Sequence, residues 1–168
     1  MRYIQTDELS DEVRRILFQS TSDPFQSKAW GITWRPMDHH ILIYEDNQPV
    51  SHVGLVRETV SVGSEQLAVG GLGKIITIPK FRGRGLAQLG IDAAVRVLIQ
   101  EWNLKHGLLF CFPPLKGFYE GLGWVARKEA VWVSQPRGRI ALPFPSMEQT
   151  WDGGEWPCGE IEIQTFPW

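Results

Sequence analysis

The sequence predicts an α/β or α+β fold in which helices cover a single sheet, and two patterns indicate it. Short runs rich in β-branched residues recur along the chain and are separated by turn residues, which is typical of strands. Other stretches place apolar residues three and four positions apart, which is typical of amphipathic helices. Strand runs followed by helices over one sheet are characteristic of these two classes.

The 168 residues predict one domain, 1–168, that is long enough to bury a core. A net charge of −2 gives no general attraction to nucleic acid or to an anionic membrane, so neither partner is expected. Cys111 and Cys158 are too few for a disulfide framework and lack metal-ligand spacing. Acidic residues interrupt any apolar signal sequence within residues 1–30, and no stretch is long enough for a membrane span. We therefore expect a cytoplasmic location.

The N-terminal half predicts one helix and several hairpin strands. Residues 1–5 can form a short strand, and Ser10 precedes a helix expected to end near Gln19. Residues 20–38 show no period and predict a long loop. The strands expected after it are 40–44, 49–60 and a central strand that begins near Gln66 and is closed by Pro79.

The C-terminal half predicts a long helix from Leu86 to Trp102, because apolar residues recur there at helical spacing. The elements expected after it are a buried strand at 107–112, a short helix at 115–121, and strands at 130–134 and 160–165 that pair at the far end of the sheet. Residues 135–159 are rich in Pro, Gly and Ser and are expected to be irregular.

The segment between the central strand and the long helix reads R-G-R-G-L-A, from Arg82 to Ala87. Two glycines ahead of a helix start can turn several backbone N–H groups toward one point. The first N–H groups of a helix lack internal partners, and the helix dipole there favours negative charge. With Lys80 and Arg84 adding positive charge, the segment predicts a phosphate or pyrophosphate site. A glycine-rich turn on a basic surface is the structural alternative.

Two nucleotide-binding motifs are excluded at this segment. A Walker loop requires Gly-Lys followed by Ser or Thr, whereas Ile75 follows Lys74. The dinucleotide fingerprint requires a third glycine where this chain has Gln88. The predicted anion site is therefore of another kind.

The run I-I-T-I-P-K-F-R-G-R-G-L-A resembles the acetyl-CoA-binding motif of the GNAT acetyltransferases, with Arg82, Gly85 and Ala87 in its three defining places. Downstream, F-Y-E-G-L-G-W at 118–124 resembles a second segment of that family. The resemblance covers about residues 40–133 and implies the GNAT fold, a mixed, mostly antiparallel sheet with splayed central strands flanked by helices. It implies an N-acetyltransferase that moves an acetyl group from acetyl-CoA to a primary amine by direct attack in a ternary complex.

The same resemblance implies roles for single residues. Ile75, Ile76 and Thr77 fall where the family binds the acetyl carbonyl and pantetheine, with a backbone N–H near Ile75 to stabilise the oxyanion. Tyr119 falls where a tyrosine often protonates the leaving CoA thiolate, and a packed structural tyrosine is its alternative. The residues that fall on the pyrophosphate are Arg82, Gly83, Arg84, Gly85, Leu86 and Ala87.

The chain departs from the family at one catalytic position. Several GNAT enzymes, aminoglycoside 2′-N-acetyltransferases among them, carry a glutamate on the central strand where this sequence has Gly73. The general base is therefore not identified. His52 is either a base that faces the acceptor or a hydrogen-bonded structural histidine, and the second reading is favoured. Those enzymes also end in a tryptophan whose terminal carboxylate reaches the acceptor pocket, and the ending Phe166-Pro167-Trp168 resembles theirs.

The acceptor is expected to be a small-molecule amine of unidentified structure, and no metal is implied. Cys111, on a strand beside the expected thioester, is read as a packing residue in preference to an acyl-enzyme nucleophile. Trp30 and Trp34 form either part of a core or an aromatic wall to a substrate cleft. Two alternatives stay open, an acyl-CoA-binding sensor or partner protein without turnover and a transferase for longer acyl groups. The oligomeric state, a homodimer included, is also open.

Overall fold

The computed structural model describes residues 2–18 and 30–168, and a ten-stranded sheet runs through them. The strands are β1 Arg2–Thr6, β2 His39–Glu45, β3 Gln48–Val62, β4 Glu65–Thr77, β5 His106–Phe110, β6 Val125–Ala126, β7 Val131–Gln135, β8 Gly138–Ala141, β9 Ser146–Thr150 and β10 Ile161–Ile163. The α-helices are α1 Asp11–Phe18, α2 Leu86–Arg96 and α3 Lys116–Glu120. The predicted helix end at Gln19 and the first part of the predicted 20–38 loop lie outside the described residues.

The sheet is mixed and mostly antiparallel, as the resemblance implied. Its order is β6-β9-β5-β4-β3-β10-β7-β8, with β2 beside the first half of β3 and β1 beside β2. The pairs β4–β5 and β7–β10 are parallel, whereas the other pairs are antiparallel. The α/β class and the GNAT-type sheet predicted from the sequence are therefore confirmed.

The two central strands separate part of the way along their length. β4 pairs with β5 from Gly70 to Leu72, opposite Gly107 to Leu109, while its pairing with β3 continues to Thr77. Over residues 73–77, no strand of the described chain pairs with the β5-facing edge of β4. The splay of the central strands is thus present, and it opens a gap in the middle of the sheet.

Three hydrophobic clusters hold the layers together. One lies between α2 and the sheet and includes Ile43, Leu55 and Leu98. A second, on the opposite face, joins β3, β7 and β10 to Trp168, and a third seats α1 through Leu17. Burying each large apolar side chain contributes about 1.5–3 kcal/mol, so these contacts stabilise the layered fold. None of the helices in the described ranges combines the length and the apolar character needed to cross a membrane.

Most predicted elements are present within a few residues, but the prediction that 135–159 is irregular was wrong. β8 and β9 lie in this segment, and β9 pairs with β5 along the whole of that strand. The sequence of β9, S-M-E-Q-T, has a single apolar residue, Met147, which is fully buried. One buried side chain gives no alternation to detect, so the partner strand determines this strand.

The helix predicted from Leu86 to Trp102 is α-helical only to Arg96, and Val97–Glu101 continues it as a π-helix.

Close packing on β4 gives a stability prediction for Gly71→Ala. A Cβ on Gly71 would lie 2.2 Å from Cε2 of Trp168 and 2.5 Å from Cγ2 of Val56. Both neighbours are buried, so the substitution should cost about 1–3 kcal/mol of the free energy of unfolding, as overpacking does. Urea unfolding followed by tryptophan fluorescence measures this loss.

The matched control is Gly117→Ala in α3, where an added Cβ meets nothing within 4 Å. Alanine favours a helix over glycine, so this variant should be at least as stable as the parent protein. Equal unfolding midpoints for the two variants would contradict the contact between Trp168 and the β4 backbone.

Candidate functional site

A cavity of about 820 Å³ occupies the gap between β4 and β5. Its walls come from the end of β4, the glycine loop before α2, the residues that follow β5, and α3. The aromatic side chains in its lining are Trp34, Phe81, Phe110, Phe112, Phe118, Tyr119, Phe144 and Trp168. Among the described residues that line it, none has a carboxylate side chain. The cavity is thus largely apolar, with positive charge near its glycine loop.

A β-bulge on β4 faces the cavity. Gly73 pairs with Gly54 and Ile76 pairs with His52, so Lys74 and Ile75 together lie opposite one residue of β3. Lys74 has a φ of 49°, a left-handed conformation that is unfavourable for a residue with a side chain. Bulges of this kind interrupt the ladder and change the direction of the peptides within it. The bulge could not be predicted from the sequence, because lysine is not a residue that is typical of such a position.

A buried histidine pair holds the bulge from the β3 side. Nδ1 of His52 donates to the main-chain carbonyl of Lys74 at 2.7 Å, and Nδ1 of His40 lies 2.9 Å from Nε2 of His52. Because a carbonyl only accepts, His52 carries its proton on Nδ1, and the proton between the rings belongs to His40. His52 is fully buried and does not line the cavity. The favoured interpretation of His52, a hydrogen-bonded structural histidine, agrees with this arrangement.

Burial lowers the pKa of His40 to about 4 and that of His52 to about 3. The positive charges of Arg14 on α1 and Lys74 on β4 also lower both pKa values. His39 also lowers the pKa of His40, whereas Asp7 raises it. The hydrogen bond to the Lys74 carbonyl raises the pKa of His52. Both rings are therefore neutral near pH 7.

The glycine loop has the geometry that the sequence predicted for it. Gly83 and Gly85 have φ values of 75° and 74°, which favour glycine, and Gly85 is the N-cap of α2. A Cβ at either position would meet nothing within 4 Å, so the space in front of the loop is open. Nε of Arg82 donates to the carbonyl of Thr77 at 3.0 Å, which ties the loop to the end of β4.

The structure brings nearly all the predicted site residues to one cavity. Those in its lining are Ile75, Ile76, Thr77, Arg82, Gly83, Gly85, Leu86, Ala87 and Tyr119. Arg84 is the exception, because its guanidinium pairs with Glu45 at 2.8 Å and does not belong to the lining. The assignment of these residues to CoA and to catalysis remains a prediction.

Tyr119 and Cys111 share the interior end of the cavity. Tyr119 is 5% exposed, and burial, with a smaller contribution from Cys111, raises its pKa well above the ordinary value. Burial likewise raises the pKa of the Cys111 thiol to about 11, with Glu120 contributing. Both groups therefore stay protonated at neutral pH. A neutral thiol is a poor nucleophile, which favours the packing role for Cys111.

A glutamate at position 73, which the GNAT resemblance expects, would be crowded by side chains packed on β4. A Cβ on Gly73 would lie 2.9 Å from Cε of Met37 and 3.2 Å from Cδ1 of Trp168. Both of these side chains are buried against β4, at 7% and 4% exposure. A longer side chain at 73 would therefore require Met37 and Trp168 to shift, so glycine at this position suits their close packing on β4.

The sequence did not predict an aromatic cluster around Phe144. The centroid of the Phe144 ring lies 4.9 Å from the ring centroid of Trp30, 5.9 Å from that of Trp34 and 5.7 Å from that of Phe112. Phe110 and Trp168 form a further pair with ring centroids 5.3 Å apart. Phe144 stands in the irregular run L-P-F-P, where periodicity carries no information. The cluster supports the reading of Trp34 as part of a cavity wall.

The histidine pair generates a prediction about pH. Both pKa values lie below the ordinary 6.5, so between about pH 6.5 and pH 4 the unfolded chain binds more protons than the native chain. We expect the midpoint temperature of unfolding to fall as the pH is lowered through this window. Calorimetry between about pH 7 and pH 4.5 measures the fall. His52→Asn should show a shallower dependence, and an equal slope in both proteins would contradict the assignment.

Comparison with known proteins gives a family and a curated relative. The model of the family described as Nodulation protein A (NodA) matches residues 6–143. The chain is also 25% identical over 146 residues to the aminoglycoside 2′-N-acetyltransferase of Mycolicibacterium fortuitum, an alignment that covers 84% of this chain and 73% of that protein.

Solved structures with the same fold are numerous. The GNAT family N-acetyltransferase YhbS from Escherichia coli, solved in complex with CoA, superimposes with a TM-score of 0.60 at 16% identity, over 97% of this chain and 90% of that chain. A GNAT family acetyltransferase from Brucella melitensis, solved with acetyl-CoA, gives a TM-score of 0.59 at 14% identity over 97% and 96%. Escherichia coli ElaA gives 0.58 at 18% identity over 88% and 98%. At these identities the likeness establishes the fold.

Proposed function

This chain belongs to the NodA family and is an acyltransferase of the GNAT type, and from that premise we propose that it moves an acetyl group from acetyl-CoA to a primary amine of a small molecule. One observation carries the proposal: the unpaired edge of β4 and the glycine loop before α2 line the same cavity. The first can bind an extended amide chain and the second an anion. The relatives solved with CoA or acetyl-CoA support this choice of donor.

The donor would lie along β4 with its ends fixed by different groups. The pantetheine amides would pair with the edge of β4 at Ile75–Thr77, as a peptide strand does. The pyrophosphate would be held by the backbone of residues 82–87 and by the positive end of α2. A backbone N–H at the bulge would donate to the thioester oxygen, a contact that contributes on the order of 10²–10³ in rate in other enzymes.

Tyr119 is the proposed general acid for the leaving thiolate. Its raised pKa keeps the phenol protonated, which an acid requires, although it also makes the phenol a reluctant donor. Cys111 indicates how the same surroundings act on a thiol, because burial raises its pKa to about 11. A leaving thiolate in this cavity would therefore be more basic than in water, which makes it a better acceptor for the proton of Tyr119.

The amine is proposed to lose its proton without a carboxylate side chain from the lining, since the described lining residues provide none. An amine with a pKa near 10 is mostly protonated at neutral pH and must be deprotonated before attack. Lys74, whose own pKa is lowered by burial and by Arg14, lies on the wall and disfavours a second cation there. Deprotonation to solvent as the amine enters is the route that this electrostatic environment favours.

A second candidate function is transfer of a longer acyl group, which the apolar wall favours. Phe110, Phe112 and Phe144 line the cavity beside the predicted thioester position and offer aromatic surface to a hydrocarbon chain. Burial of each additional methylene contributes about 0.8 kcal/mol, so a chain of several carbons would gain substantial affinity from such a wall. An acetyl group does not require this much apolar surface.

The central test measures donor binding and turnover in the parent protein and in Gly85→Glu. A carboxylate beyond Cβ would occupy the open space before the loop and repel phosphate, so we expect CoA affinity to fall at least about 100-fold, equivalent to about 2.7 kcal/mol. Calorimetric titration with acetyl-CoA gives the affinity. Release of CoA thiol with tobramycin, glucosamine and spermidine gives the turnover.

Gly85→Ala is the matched control, because it carries the same positive-φ strain without the charge. It should keep most of the CoA affinity, and full affinity in Gly85→Glu would count against the pyrophosphate site. An octanoyl-CoA arm, run with the same amines, separates the two donors. Faster turnover of the longer donor would establish the second candidate, whereas CoA binding without turnover of either donor would favour the sensor alternative.

The acid role predicts that Tyr119→Phe lowers kcat by about 10²-fold while the affinity for acetyl-CoA stays within threefold, because only the proton donor is removed. Phenylalanine keeps the ring that packs in the core, so the fold should be retained. Steady-state kinetics with the best amine of the panel measures kcat. Since the pKa of Tyr119 is raised, kcat of the parent protein should not decline between about pH 7 and pH 9. Unchanged kcat in the variant removes the acid role alone.

A further inference from the structure

The peptide between Lys74 and Ile75 has a fixed direction. In a trans peptide the carbonyl and the N–H point to opposite sides. The carbonyl of Lys74 accepts from Nδ1 of His52, so it points toward β3 and away from the gap. The N–H of Ile75 must therefore point the other way. Ile75 lines the cavity, and neither β3 nor β5 provides it with a ladder partner among the described residues.

We propose that His52, oriented by His40, is a positioning residue that holds the Lys74–Ile75 peptide so that the N–H of Ile75 faces the acyl carbonyl oxygen. This inference rests on the proposed function, because the carbonyl oxygen is that of the proposed thioester. His52 touches neither donor nor acceptor, since it is fully buried behind β4. It acts through the backbone alone.

The bulge needs such a support. The left-handed φ of Lys74 is unfavourable for a residue with a side chain, and the ladder that would restrain this peptide is interrupted on both sides. Rotation about the bonds that flank the peptide would reverse its carbonyl and its N–H. A reversed carbonyl would leave the buried Nδ1–H of His52 without a partner, which is costly, so the hydrogen bond selects the observed direction.

His40 supports the tautomer of His52 that the Lys74 carbonyl requires. Its Nδ1–H donates to Nε2 of His52, which leaves Nδ1 of His52 as the protonated nitrogen that faces Lys74. An accepting Nδ1 would repel the carbonyl. The Phe18 ring packs beside the pair in a T-shaped arrangement, with its centroid 5.2 Å from that of the His52 ring. The two histidines thus form a short hydrogen-bonded chain that ends at the bulge.

The test compares two substitutions of His52. Asparagine can place its amide N–H where Nδ1 now lies, whereas leucine fills the space and removes the donor. We expect His52→Leu to lower kcat about 10²-fold, the effect of losing an oxyanion donor, with the acetyl-CoA affinity within threefold. His52→Asn should recover kcat to within about fivefold of the parent protein. Release of CoA from acetyl-CoA, with and without the amines of the panel, provides kcat.

Val60→Ala is the control for general destabilisation of β3, because Val60 is buried on the same strand but pairs with Leu67, away from the bulge. It should lower the unfolding midpoint and leave kcat within twofold at a temperature where the protein is folded. A merely structural His52 would behave like Val60, with the midpoint reduced and kcat retained.

A spectroscopic readout decides the geometry without activity. ¹⁵N spectra of the histidine rings should show both His40 and His52 protonated at Nδ1, and the Ile75 amide resonance should move in His52→Leu but not in Val60→Ala. Protonation of His52 at Nε2, or unchanged kcat in His52→Leu, overturns this inference and leaves the proposed function intact. Absence of CoA binding and of transfer in the parent protein overturns both.

Discussion

The separation of β4 from β5 after Leu72 is the constraint on which the rest of the site depends. A central strand normally has both edges paired, because buried backbone groups need partners. Here β4 keeps β3 on one side to Thr77 and loses β5 on the other, so five residues present an open edge inside the protein. That edge explains why a cavity of about 820 Å³ lies in the sheet and not beside it.

Glycines on β4 let different side chains pack directly on the two faces of the strand. Gly71 and Gly73 allow Trp168 and Met37 to pack directly on the backbone, which closes one side of the gap. Gly70, on the other face, admits Leu98 from the helical layer. The same packing crowds position 73, so a glutamate side chain there would require Met37 and Trp168 to move.

Local features of the site could be read from the sequence, whereas features made by pairing could not. The backbone conformation of the loop at 82–87 was predicted correctly, because its glycines have intrinsic conformational preferences and the helix start follows at once. The bulge at Lys74 depends on the register between β3 and β4, and no residue type at this position indicates it. β9 forms because β5 provides an edge with which it pairs. Phe144 lines the cavity from a proline-flanked segment whose sequence has no hydrophobic periodicity.

Five ionisable side chains in or near the gap share one electrostatic property. Burial raises the pKa of Tyr119 and Cys111 and lowers that of His40, His52 and Lys74, so in each case it disfavours the charged form. Among the described residues around the gap, the glycine loop favours an anion, together with Arg82 and the N-terminus of α2. In the proposed reaction this asymmetry suits a donor whose charge lies at the phosphate end and whose thioester end is neutral. In that proposal a protonated amine would meet the same penalty as Lys74, which supports attack by the free amine.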